Sequence, residues 1–97
     1  MSMDELLFDW DDANILHVAE HDVAPEDAEE VILGDPLDIG LELIDGEERS
    51  PHVGETNEGQ ILRVVIAFRG QRMRVVTAFE PEKQWKIFYL EQRAGLQ

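Results

Sequence analysis

Two valine-rich segments, Ile61 to Phe68 and Met73 to Phe79, are separated only by Arg69, Gly70, Gln71 and Arg72. Extended backbone suits the β-branched residues, and a short turn containing glycine leaves them one simple way to pair, as an antiparallel hairpin. Everything else in the chain has to pack on that hairpin. Ninety-seven residues support one hydrophobic core and not two, so a single domain spanning 1–97 is predicted.

On the amino-terminal side, Leu6, Phe8 and Trp10 alternate with Leu7 and Asp9, which predicts a short strand ending near Trp10. Asp11 or Asp12 then caps a helix running through His21. Its expected buried face holds Asp12, Ile15, Leu16, Val18 and Ala19, while Asn14, His17 and His21 line the other. Pro25 opens a second helix with Ala28, Val31 and Ile32 as its buried stripe, and Gly34 closes it. After Asp35 and Pro36, the alternation of Ile39, Leu41 and Leu43 predicts a strand ending at Asp45 and Gly46. The polar stretch 47–60, with Pro51, Gly54 and Gly59, reads as a loop or a pair of short irregular strands. Pro81 begins a last helix to about Arg93, with Trp85, Phe88, Tyr89 and Gln92 on one side and Ile87, Leu90 and Ala94 near the other. The expected fold is α+β, two-layer, in the order β-α-α-β-β-β-α, with a mainly antiparallel four-stranded sheet.

Charge restricts the partners. Twenty-two acidic residues against eight basic ones give a formal charge of -14, which opposes simple binding to polyphosphate. The charge is nonetheless divided: Met1 to Glu48 contains seventeen carboxylates and no Lys or Arg, whereas Arg49 to Gln97 contains five carboxylates and all eight basic side chains. Three explanations stay open: a basic face for RNA, acidic helices held against a basic sheet, or an acidic surface offered to a basic protein. A saline cytoplasm would also favour such a composition. The absence of cysteine removes disulfides, thiol nucleophiles and thiolate zinc sites. The acidic start lacks a secretory n-region, and no apolar run approaches the roughly 18 residues of a membrane span, so a cytoplasmic location and no membrane partner are expected.

The order Phe8, Asp9, Trp10, Asp11, then Asn14, His17, His21, Asp22 and Val23, then Pro25 through Val31, resembles the amino-terminal signature of the BrnT family. The resemblance continues through Glu48 and Arg49, Gly54, Thr56 and Gly59, Val64 and Val65 with Arg69, and Arg74 through Ala78, to Tyr89. It implies a RelE-like fold and a ribonuclease toxin of a type II toxin-antitoxin pair, working on single-stranded RNA and neutralised by an antitoxin-like protein. It also implies that Arg49 and Arg74 are the leading site residues. The sequence departs from the family at Phe79, where a second arginine is usual, at Asp22, a frequent glycine, and at Glu20, often basic.

Metal-independent RNA cleavage needs a base for the 2′-hydroxyl, positive charge over the phosphorane, and an acid for the leaving oxygen. His17 and His21, one helical turn apart, are the candidates for proton transfer. Arg49 and Arg74, with Arg63, Arg69 and Arg72 as further RNA-binding candidates, offer the planar donors that hold phosphate. Arg72 and Arg74 share a strand face, and a turn at Gly70 and Gln71 would bring Arg63 near Arg74. The same arginines could instead pair with carboxylates, and the histidines could serve structure alone. A metal held by the two histidines with His52 lacks a fixed third ligand, and no cofactor is expected. The rival to the toxin reading is a catalytically silent acidic module that binds a basic protein through its acidic half or its last helix.

Overall fold

The computed structural model describes residues 7–95. Among these residues, helices and strands follow in the order α1 (Asp12–Ala19), α2 (Pro25–Leu33), β1 (Leu37–Asp38), β2 (Glu42–Ile44), β3 (Glu47–Glu55), β4 (Ile61–Arg69), β5 (Arg72–Phe79) and α3 (Lys83–Arg93). The central hairpin forms as expected, with Arg69 opposite Arg72 across Gly70 and Gln71. Gly70 takes φ +64°, the positive value that the first position of a two-residue hairpin loop requires.

The sheet has five strands rather than four. Its path is β1-β3-β4-β5, with β2 also on β3, and every strand pairing is antiparallel. The stretch expected as a loop or a pair of short irregular strands contains one long strand, β3, and the strand expected through Ile39, Leu41 and Leu43 to Asp45 and Gly46 is broken into β1 and β2. Both corrections have one cause. Ile39 donates its N–H to the Pro51 carbonyl, so the nitrogen of Pro51 faces the same side, where β1 ends and β2 has not begun. A proline is tolerated there because its missing donor coincides with the gap in the neighbouring strand. Leu41 and Leu43, whose alternation predicted the strand, are 62% and 67% exposed.

The first expected strand shrinks to one parallel bridge, Phe8 with Met73, and Leu6 lies outside the described residues. This segment and α1 run along the outer edge of β5. Asp9 donates to the Met73 carbonyl, and the Asn14 amide donates to those of Val75 and Asp9. An otherwise open strand edge is thereby satisfied and covered.

Helix α1 is turned relative to the expectation and stops at Ala19 rather than His21. Asn14 and Val18 are 4% and 0% exposed, whereas Leu16 is 64% exposed. Asp11 and Asn14 form a reciprocal capping box, the Asp11 carboxylate accepting from Asn14 and the Asn14 amide oxygen accepting from Asp11. With Asn14 committed to that box and to the β5 edge, Val18 must follow it one turn later, and Ile15 and Leu16 turn outward. Asp22, at φ +60°, reverses the chain so that Val23 donates to the Val18 carbonyl.

The principal core joins Phe8, Val18, Val23, Ala28 and Val31 to Leu62, Val64, Ile66, Val75 and Ala78. Strand alternation separates the two faces of the sheet. A Cβ on Gly54 would meet Val31 and Pro36 at 3.0 Å, so this glycine admits α2. Its neighbour Glu55 points the other way and accepts from the Tyr89 hydroxyl at 3.1 Å. Helix α3 therefore crosses the face opposite α1 and α2, so the helices do not share one layer as expected. Tyr89 anchors α3 and is bracketed by Arg93, whose Nε donates to its hydroxyl at 3.0 Å. Burial raises the Tyr89 pKa; the hydrogen bond from Arg93 opposes that rise, and the hydrogen bond to Glu55 adds to it. Among the described residues, no helix is long and apolar enough to cross a membrane.

Candidate phosphate-binding site

The face that carries Pro51, Val53, Val65 and Ala67 also carries most of the arginines, because each sits at matching parity on its strand. At the end of this face nearest the hairpin turn, Arg49, Arg69 and Arg74 meet α1 around a shallow depression of about 320 Å³. Ala13, Asn14, His17, Glu47 and Val76 complete its lining. Three guanidinium groups and one carboxylate line this spot, and Asp11 and Asp9 stand against Arg74 just outside it, so its charges are locally balanced in a chain that is acidic overall.

Each guanidinium is held by a carboxylate. Glu47 bridges two of them, with Oε1 accepting from Arg49 Nε at 3.2 Å and Oε2 lying 2.9 Å from Arg69 Nη1. Arg69, helped by Arg49, holds the Glu47 carboxyl below its ordinary range, against the partial desolvation of the group. Arg74 makes a two-pronged pair with Asp11, at 3.0 and 3.1 Å, and lies 3.6 Å from Asp9. The Arg74 pair is the main reason the Asp11 carboxyl is lowered, and Asp11 in turn raises Arg74. Glu47 lies inside the depression, whereas Asp11 and Asp9 hold Arg74 without lining it.

His17 reaches the depression from α1. Its Nε2 is 3.1 Å from the Thr77 hydroxyl, and its Nδ1 is 3.9 Å from Glu20. His21 falls beyond the helix end and does not join the arginines. Its ring lies 5.5 Å from that of His17 and 5.8 Å from that of Phe79. A second depression is lined by His21, Asp22, Thr77, Phe79 and Glu80.

Of the expected site residues, Arg49, Arg69, Arg74 and His17 are brought together. Arg63 is not, contrary to the expectation that the turn would place it near Arg74. It pairs with Phe79, at the far end of the hairpin from the Arg74 and Ala67 pair. Arg63 lies four residues along β4 from Ala67, the partner of Arg74, and a β-bulge between Val65 and Ile66, with Val76 as the extra residue on β5, sets it opposite Phe79 rather than Ala78. There Arg63 donates to Glu42 at 2.8 Å and lies 5.9 Å over the Trp85 ring. Arg72 turns to the Phe8 carbonyl. His52 is tied to the Ser50 carbonyl on β3, and no grouping of three or more metal-ligating side chains occurs among the described residues.

Glu47 and Thr77 are the participants that sequence reasoning did not single out. Glu47 and Arg49 are two apart, the spacing that puts side chains on one face of a strand, but that signal is readable only if 47–55 is recognised as a strand. No known protein-family profile matches the sequence, and no curated protein matches it significantly.

Proposed function

We propose that this chain is a BrnT-like toxin with a RelE-like fold, acting in the cytoplasm as a slow, metal-independent endoribonuclease on single-stranded RNA and neutralised by an antitoxin-like protein. The observation that carries this reading is the convergence of Arg49, Arg69, Arg74 and His17 on one depression of a chain that is otherwise strongly acidic. Planar guanidiniums suit a phosphate and the charge that grows on it during 2′-hydroxyl attack. His17 is the imidazole within reach of that phosphate and takes the hydroxyl proton. His21, 5.5 Å away across the ring contact, is the second imidazole and serves the leaving oxygen. Slowness follows from Glu47, which an incoming phosphate must displace, and from Phe79, which adds no charge. The family assignment itself rests on the ordered signature from Phe8 to Tyr89.

A time course of single-stranded RNA cleavage in EDTA, comparing the wild type with R49A and R74A at low and high salt, tests the proposal. Cutting that persists in EDTA and falls at least tenfold in both variants supports it. No cutting at any salt by the folded protein removes the nuclease reading.

A second reading, a catalytically silent module for a basic protein partner, is favoured by the carboxylate held against each of Arg49, Arg69 and Arg74. It is favoured too by the outward turn of Ile15 and Leu16 on a helix free of Lys and Arg. Under this reading, the arginines order the sheet and bind no RNA.

A further inference from the structure

Resting on the RNA reading, we infer that the depression formed by His21, Asp22, Thr77, Phe79 and Glu80 is a nucleobase subsite. It takes the base of the nucleotide whose phosphate lies at Arg49, Arg69 and Arg74, and it favours adenine and cytosine, which carry an amino group where guanine and uracil carry a carbonyl oxygen.

Position is the first argument. Thr77 lines this depression and His17 lines the arginine depression, and the two side chains touch at 3.1 Å. The His17 and His21 rings bridge the same boundary at 5.5 Å. One pair of touching side chains therefore separates the two depressions, a separation suited to the phosphate and base of a single nucleotide.

The chemistry of the walls differs from that of the arginine site in the required way. His21 and Phe79 place two rings 5.8 Å apart and tilted by 52°, and both border the opening. Aromatic surface of this kind binds any base through its π-face. Asp22 and Glu80 add carboxylates; Lys86, from outside the lining, takes one Glu80 oxygen, which leaves the other and the Asp22 carboxylate to face the opening. Such a rim offers carboxylate oxygens as hydrogen-bond acceptors, so it suits the amino group of adenine or cytosine. Uracil presents a carbonyl oxygen at the equivalent position and gains nothing from the rim.

The test uses the full chain and fluorescein-labelled 2′-O-methyl hexanucleotides of adenine, cytosine or uracil, which cannot be cleaved, beside an abasic hexamer with the same number of phosphates. Anisotropy gives each affinity at one salt concentration. The adenine and cytosine hexamers are expected to bind roughly tenfold tighter than the abasic one, with uracil between them. F79A should erase most of that advantage and F79W should retain it. H21A, at an exposed position, should reduce it without any question of folding, and D22N should narrow the gap between cytosine and uracil. R74A should weaken all four oligomers alike. Equal affinity for the abasic and adenine hexamers, with both still weakened by R74A, overturns the base subsite and leaves the phosphate reading standing. A base advantage untouched by both F79A and H21A also overturns it. If no oligomer binds at low salt, the RNA reading fails and the base subsite falls with it.

Discussion

At the level of single residues, Glu47 and Asp11 do different things to the arginines they hold. Glu47 sits within the depression between Arg49 and Arg69, where an incoming phosphate oxygen must go, so it competes with ligand. E47Q keeps the shape and removes the charge, and should tighten binding of a short RNA several-fold by anisotropy. Weaker binding would mean instead that Glu47 is needed to orient the two guanidiniums. Asp11 holds Arg74 from outside. Because its folded pKa lies below the ordinary 3.8, its contribution to stability is fully present above that value and is lost as pH falls through the lower, folded one. D11N retains a capping oxygen for α1 and loses the charge. The melting temperature of D11N should therefore fall below that of the wild type at pH 7, and the gap should close as the pH drops below about 3.8. A gap unchanged at acid pH would show that the Arg74 pair does not stabilise the fold.

Among the elements, α1 most clearly separates what the sequence discloses from what it hides. Its existence and cap were legible in Asp11 and the residues after it. Its rotation was not, because apolar periodicity favoured Ile15 and Leu16, while the deciding interaction was the Asn14 amide bonded to the Val75 carbonyl, sixty-one residues away. Buried polar groups must find partners, and here that demand outweighs the burial of a leucine. L16K should leave the melting temperature nearly unchanged. N14A should cost about 2 kcal/mol, chiefly by leaving buried edge groups unpaired. V18A should cost about 1.5 to 3 kcal/mol from lost apolar burial and the cavity left behind. Chemical denaturation of the three variants checks the set, and a large loss in L16K would contradict the rotation. The β4-β5 hairpin, by contrast, was legible nearly to the residue, since a two-residue turn fixes its register locally. Strand β3 was hidden by Pro51, whose tolerance depends on the break in its neighbour. The grouping of Arg49 with Arg69 and Arg74 depends on β3 and was therefore expected from the family resemblance alone, not from strand periodicity.

For the whole molecule, a formal charge of -14 means that self-repulsion opposes the compact state, while the arginine-bearing sheet face offsets part of it. Between about 0.01 M and 0.15 M salt the screening length falls from about 30 Å to about 8 Å. The melting temperature should therefore rise over that range. RNA binding should move the other way, since salt weakens phosphate contacts. This opposition separates the arginine-lined depression from the acidic remainder. The most direct measurement is the affinity of a short single-stranded RNA as a function of salt, for the wild type and for R49A, R69A and R74A, with folding verified for each. Three phosphate contacts predict a slope of about -2 in log K against log salt, reduced by about 0.7 in each variant. Wild-type slope and affinity in all three variants would show that the RNA, if bound at all, is held somewhere other than the depression between β3, β5 and α1.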